Sequence, residues 1–216
     1  MSAPDAGPAR MLGTLGVAGL CSGLAVVGIF LVTQPRIERN RAEALEAAIF
    51  RVLAGARSRA AFVLRDAELV PFESPGGELP KEEAVYAGYD DAGALVGFAI
   101  PAEGAGFQDT IKLIYGFDAG ARRVVGMEVL ESRETPGLGD KIIKDQSFVE
   151  NFRNLAVDPE IALVKAGRSN ENEVDAISGA TISSKAVVRI INAANDRWSE
   201  RVAALTKGGA SSGGGE

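Results

Sequence analysis

Residues 175–184 read Asp-Ala-Ile-Ser-Gly-Ala-Thr-Ile-Ser-Ser and run directly into an apolar-periodic segment. The periodicity predicts a helix that begins at Thr181. A Ser178-Gly179-Ala180 turn would then present the Thr181 hydroxyl at a helix N-terminus. Unpaired backbone N–H groups and the positive end of the helix dipole meet there. A phosphate bonded to that hydroxyl would be stabilised by both. The same residues also suit plain capping, because Ser, Thr and Asp are ordinary at helix starts and Gly-Ala turns are common. Local chemistry leaves both readings open.

One other segment has the character of a binding loop. Glu134-Thr135-Pro136-Gly137-Leu138-Gly139 is followed by Asp140-Lys141-Ile142. Pro136 fixes one φ, Gly137 and Gly139 allow positive φ and close backbone approach, and Leu138 offers an apolar tip. A surface turn explains the Pro-Gly pair but not the whole hexapeptide. A third segment reads Gly106-Phe107-Gln108-Asp109-Thr110-Ile111 and continues as Lys112-Leu113-Ile114-Tyr115-Gly116.

Ser178-Gly179-Ala180-Thr181, with Asp175 ahead and Ser183-Ser184 behind, resembles the flavinylation motif of the FMN-binding domain family. The 134–139 hexapeptide resembles a loop in the G subunit of Rnf-type ion-translocating ferredoxin:NAD oxidoreductase complexes, and the block at 106–116 resembles the same pattern. The C subunit of the sodium-pumping NADH:quinone reductase has a similar loop. The resemblance implies a membrane-anchored electron carrier with FMN bound to Thr181 through a phosphoester. It places Ser178, Gly179 and Ala180 in the attachment turn. Glu134, Thr135 and Leu138 would line the flavin ring, in one loop with Pro136 and Gly137. On the residues themselves, Lys185 and the helix N-terminus would offset the phosphodiester charge, although an ordinary solvated helix residue fits Lys185 equally well, and Ser183 or Ser184 would hydrogen-bond it. The implied partners are the other members of a membrane complex that translocates Na+ or H+. A separate magnesium-dependent flavin transferase would use FAD to modify Thr181, so the chain is its substrate and not its catalyst. One departure stands out: where many members have a His before the Glu-Thr-Pro loop, this chain has Ser132 and Arg133.

Composition narrows the alternatives. The chain has 216 residues, a formal net charge of −6, one Cys and no His. It is too acidic for generic nucleic-acid binding. Without His, the common hydrolytic triads are excluded. The single Cys21 excludes an internal disulfide, a Cys-rich zinc site and a c-type haem attachment. There is no P-loop and no Gly-rich dinucleotide fingerprint after a strand, so no NAD site is expected on the chain itself. Neither catalytic residues nor a metal site are expected.

Residues 11–35 contain no charge. The apolar run at 12–32 is long enough, at about 1.5 Å per residue, to cross roughly 30 Å of hydrocarbon. A cleavable signal peptide is the alternative, but the run is long for one and Leu31-Val32-Thr33 is not small-x-small. Leu20 before Cys21 argues against a lipoprotein site. A retained transmembrane helix is therefore expected at 11–34, after a short tail at 1–10. Gly19 and Gly23 form a Gly-x-x-x-Gly face suited to a partner helix. Arg36, Arg39 and Arg41 follow the span and Arg10 precedes it, which by positive charge alone keeps the large domain cytoplasmic. The resemblance implies the periplasmic side of a bacterial inner membrane. Long domains translocate largely regardless of charge, so the expectation follows the resemblance.

The remaining organisation is an FMN-binding domain at 35–206, led by a linking helix within 35–58 that starts at Pro35. Ile37, Leu45, Ile49, Val52 and Leu53 supply its apolar positions. A Pro/Gly-rich loop is expected at 74–81, strands at 84–89, 94–100, 110–117 and 123–130, a short helix at 146–154 and a strand at 161–165. Asp90-Asp91-Ala92-Gly93 and Asp118-Ala119-Gly120 read as hairpin turns. The final helix spans 181–205 with Trp198 in the core, and a Gly/Ser-rich tail at 207–216 reads as disordered. The expected fold is α+β: an antiparallel sheet with packed helices, preceded by a single N-terminal transmembrane helix. Three functions fit this pattern. The first is the G subunit of an Rnf-type complex. The second is a flavinylated carrier of another system, either the C subunit of the quinone reductase or a stand-alone anchored flavoprotein. The third is a non-flavinylated membrane assembly module, against which the intact Ser-Gly-Ala-Thr argues.

Overall fold

The computed structural model describes residues 7–74, 78–80 and 82–209. The chain divides into two compact units, Met1–Ala44 and Leu45–Glu216. Helix α1 (Pro8–Val52) begins in the first and ends in the second. In the first unit its apolar window has a mean hydropathy of 2.4 and buries nothing. Leu15 is 77% exposed and Phe30 58% exposed. A surface this apolar needs a non-aqueous environment that the chain does not supply, and its length and composition fit a membrane anchor. Its threonine hydroxyls are satisfied internally: Thr14 Oγ1 donates to the Arg10 carbonyl (2.7 Å), and Thr33 Oγ1 to those of Ile29 (2.8 Å) and Phe30 (3.2 Å). The helix already includes Pro8–Arg10, which the sequence pattern assigns to the tail.

No separate helix starts at Pro35. Pro35 lies inside α1 and removes one N–H donor without ending the helix. The linking helix, expected from Ile37 to about Ala54 within the 35–58 segment, is therefore the last part of α1, which stops at Val52. Ala56 N turns back to the Leu53 carbonyl (3.0 Å), and Gly55 takes φ 101°, a conformation that favours glycine and ends the helix.

The second unit is built on a seven-stranded antiparallel sheet of order β2-β1-β3-β4-β5-β6-β7. Its strands are β1 (Ser58–Arg65), β2 (Glu68–Phe72), β3 (Ala84–Tyr89), β4 (Leu95–Ala105), β5 (Thr110–Asp118), β6 (Arg123–Glu131) and β7 (Leu155–Ala156). The β1–β2 hairpin is not evident in the sequence. Its turn places Asp66 (φ 49°) and Ala67 (φ 68°) in the left-handed region, which hairpins usually reach with Asn-Gly or Asp-Gly. Between β6 and β7 come α2 (Lys141–Lys144) and α3 (Gln146–Glu150). The helix expected at 146–154 is thus shorter; Asp145 caps it by accepting from Ser147 N (3.0 Å) and Phe148 N (3.4 Å). β8 (Ala162–Val164) pairs with β9 (Glu173–Asp175) in a small parallel sheet. Helix α4 (Thr181–Gly209) ends the described chain. It runs three residues into the expected tail, of which 210–216 lie outside the described residues. Of the expected loop at 74–81, residues 75–77 and 81 also lie outside them.

Alternation along β5 splits the core in two. Ile111, Leu113, Tyr115 and Phe117 face one way, with Val187, Ile191, Trp198 and Val202 of α4. Ile114 faces the other way, with Ala48, Ile49, Val52 and Leu53 from the end of α1. This is the period-two logic of a sheet covered on both faces. Tyr115 pins α4 to the sheet: its buried hydroxyl donates to Asn195 Oδ1 at 3.0 Å. Burial pushes the Tyr115 hydroxyl well above its ordinary pKa, so it stays a neutral donor. Asn195 Nδ2 is buried with no partner, so Tyr115→Phe leaves the whole amide unpaired. The expected cost is about 1–3 kcal/mol, read by urea denaturation.

Candidate functional site

At the start of α4, Ser184 N bonds the Ala180 carbonyl (3.0 Å), the first helical bond, and Ala180 N bonds the Ile177 carbonyl (3.0 Å) to close the preceding turn. Gly179 makes that turn possible at φ 79°. Thr181, Ile182 and Ser183 therefore occupy the first helical turn, whose N–H groups have no helical acceptor. Thr181 is exposed, and its hydroxyl makes no hydrogen bond among the described residues.

The three sequence blocks meet at one carboxylate. Glu134 is 5% exposed. Its Oε1 accepts from Phe107 N (2.8 Å) and Gln108 N (3.0 Å), and its Oε2 accepts from Ser183 Oγ (2.6 Å). Burial pushes the Glu134 carboxyl up, but the Ser183 hydroxyl and the N–H groups of the 107–109 loop outweigh it and hold the pKa below the ordinary value. Two glycines permit this knot by close approach. A Cβ on Gly106 would stand 2.4 Å from Glu134 Oε1. One on Gly139 would stand 2.6 Å from Glu134 Oε2 and 2.9 Å from Ser183 Oγ. Gly139→Ala is therefore expected to cost about 1–3 kcal/mol, measured as a lowered melting temperature, because three locked elements cannot move aside independently.

The knot leaves a cleft of about 340 Å³ lined by Phe107, Glu134, Thr135, Leu138, Gly139 and residues 179–183. Three apolar side chains stand open to solvent beside Thr181: Phe107 (64% exposed), Leu138 (51%) and Ile182 (59%). Thr135 Oγ1 donates to Gln108 Oε1 at 3.0 Å across the two loops. Pro136 and Gly137 are exposed and shape the loop without lining the cleft; Gly137 takes φ 79° and its N–H bonds Asp140 Oδ1 at 2.7 Å.

The two serines expected to hydrogen-bond a phosphate are turned inward. Ser183 Oγ donates to Glu134. Ser184 Oγ donates to the Ala180 carbonyl (3.0 Å) and accepts from Ile177 N (3.2 Å). Both are buried because their positions, one turn from Val187 and Val188, belong to the core face of α4. Ser178 contributes its carbonyl, which accepts from Lys141 Nζ at 3.4 Å. Lys185 is exposed and makes no hydrogen bond or ion pair among the described residues. Asp175 stands at the end of β9, where its Oδ1 accepts from Arg168 N (3.0 Å). Arg133 pairs with Asp109 at 3.7 Å. Sequence reasoning does not single out Phe107, Gly139, Ile182 or Lys141 as site residues, although all four lie inside the three blocks. Among the described residues, no group of three or more His, Cys, Asp or Glu could hold a metal ion.

Residues 106–196 match the model of the FMN-binding domain family. The chain is 30% identical over 164 residues to the G subunit of the Na(+)-translocating ferredoxin:NAD(+) oxidoreductase complex of Acetobacterium woodii, covering 74% of this chain and 77% of that one. It is 39% identical over 111 residues to the G subunit of the ion-translocating oxidoreductase complex of Methanosarcina acetivorans, covering 51% of this chain and 56% of the relative. The match spans about half the length of this and several further relatives of the same kind. Two crystal structures share the fold. Shewanella oneidensis NqrC aligns with a TM-score of 0.60 at 16% identity, over 77% of this chain and 99% of that one. The C subunit of the Na(+)-translocating NADH-quinone reductase from Parabacteroides distasonis aligns with a TM-score of 0.56 at 22% identity, over 79% and 96%. Three blocks gathered on one carboxylate, inside a matching FMN-binding domain, place this chain in the G-subunit family of ion-translocating oxidoreductase complexes.

Proposed function

We propose that the chain is a membrane-anchored electron carrier with FMN bonded covalently to Thr181, serving within an Rnf-type ferredoxin:NAD oxidoreductase complex on the periplasmic side of a bacterial inner membrane. The observation that carries the reading is the free Thr181 hydroxyl at the lip of an apolar cleft, on a helix turn with unpaired N–H groups. The residues present fit the cofactor: Phe107, Leu138 and Ile182 offer apolar contact to a flavin ring, and the helix start suits a phosphodiester. FMN bound there supplies reversible redox chemistry, while the chain sets its position and its access to solvent. Lys185, on the same helix face one turn past Thr181, adds positive charge to the region.

Attachment balances as a phosphoryl transfer. The Thr181 oxygen attacks the FMN-side phosphorus of FAD and the new Oγ–P bond forms. The pyrophosphate bond breaks, AMP leaves, and the hydroxyl proton passes to a base on a flavin transferase. A tether prevents loss of flavin from an open cleft, because it keeps the effective concentration high whatever the affinity. The likeness to the quinone-reductase structures supports the fold alone, whereas the 30% identity spanning 77% of the Acetobacterium woodii relative favours the Rnf-type assignment.

The test uses membranes containing the complete complex, with reduced ferredoxin as donor and NAD+ as acceptor. A Thr181→Ala chain that still assembles is expected to lower the ferredoxin-linked rate at least about a hundredfold, as removal of an obligatory redox step does. An unchanged rate would show that the chain carries no electrons in that path.

A further inference from the structure

The phosphate expected at Thr181 needs a counter-charge, and the cations around the cleft are not equivalent. Arg133 is engaged by Asp109, Lys144 by Asp140 (2.5 Å), and Lys112 lies between Glu103 and Glu131 (3.9 and 3.7 Å). Arg189 reaches the Ala105 carbonyl. Lys185 projects into solvent. Lys141 is half-buried and, among these cations, directed at the attachment turn: its ammonium stands 3.4 Å from the Ser178 carbonyl, three residues before Thr181.

We infer that Lys141 is the residue that recognises the phosphate of the flavin at Thr181. The inference rests on the proposed flavin site and refines it. An ammonium carries three donors, and Lys141 places one of them, at long range, on a neutral carbonyl. A phosphodiester oxygen is the stronger acceptor, because both partners are charged. The lysine is held ready by its own backbone: Lys141 N bonds the Leu138 carbonyl (3.2 Å), and Asp145 N bonds the Lys141 carbonyl (2.8 Å). Asp145, a carboxylate that senses Lys141, is already occupied. Asp145 is held below its usual range first by the Ser147 hydroxyl, against burial, then by the N–H groups of Phe148 and Ser147, with Lys141 contributing last. A 250 Å³ hollow beside Ser178 is lined by Asp145 and Asp175, which repel an anion.

The test compares full-length chain in detergent binding free FMN and riboflavin, which differ by the phosphate alone, by flavin fluorescence quenching. All chains carry Thr181→Ala, so no covalent bond forms. The parent is expected to bind FMN about tenfold more tightly than riboflavin, the size of one charge-assisted contact. Lys141→Gln is expected to reduce that preference to about twofold or less while riboflavin affinity holds, and Lys141→Arg to retain most of it. Equal weakening of both flavins by Lys141→Gln would show a structural role and overturn the inference. So would an undiminished preference, a preference removed by Lys185→Gln in place of Lys141→Gln, or no preference in the parent. Covalent attachment is read separately, by intact mass, so failure of the electron-carrier reading and failure of phosphate recognition by Lys141 give different results.

Discussion

Thr181→Ala, produced beside an active flavin transferase, is expected to carry no covalent flavin while folding normally. Thr181 is exposed at the first position of α4, and its hydroxyl makes no hydrogen bond among the described residues. Its loss should therefore change stability by no more than about 0.5 kcal/mol, the range of ordinary surface substitutions. Denaturing-gel fluorescence and intact mass read the first effect, and thermal unfolding the second. Ser183→Ala should do the reverse. Its hydroxyl is buried on Glu134, so the change costs about 1–2 kcal/mol, yet the folded fraction keeps its flavin. Flavin loss in a stable protein and stability loss in a flavinylated one separate the attachment residue from its support.

Glu134→Ala is expected to be the most damaging single change to the site. It removes the acceptor for three donors on two other segments, Phe107 N, Gln108 N and Ser183 Oγ. The Phe107 end can reach water, so the cost is about 2–4 kcal/mol and not the full sum of three orphaned groups. Glu134→Gln keeps an acceptor oxygen and is expected to cost about 1 kcal/mol. The carboxylate also makes stability depend on pH. Its folded pKa lies below its unfolded value, so its contribution is complete above the unfolded value, near 4.5, and is lost as pH falls through the folded one. Urea midpoints measured between neutral and strongly acidic pH should fall less steeply for Glu134→Gln than for the parent. Parallel profiles would show that Glu134 is not the titrating group.

Much of this site is legible in the chain because its motifs carry their own chemistry. Ser-Gly-Ala-Thr at a helix start needs a glycine at φ 79°, and that is where Gly179 stands. What the chain alone does not show is how the blocks face one another. Nothing local distinguishes Ser183 from a phosphate ligand; it turns inward because Glu134, 49 residues earlier, lies beneath it. Lys141 and Lys185 look alike in sequence, and only the fold directs the first at the Ser178 turn. The central strands β3 to β6 are readable as strand-like runs joined by hairpin signals, whereas β1–β2 turns through Asp66-Ala67 without the usual glycine. Pro35 misleads for a similar reason: its effect on a helix depends on what surrounds it, and here α1 continues through it.

The most direct measurement is fragment mass spectrometry of the flavinylated chain across residues 175–189. The assignment predicts a mass gain of one FMN less one water, localised to Thr181. The same gain on Ser178, Ser183 or Ser184, or an unmodified peptide from a chain exposed to an active transferase, would contradict it.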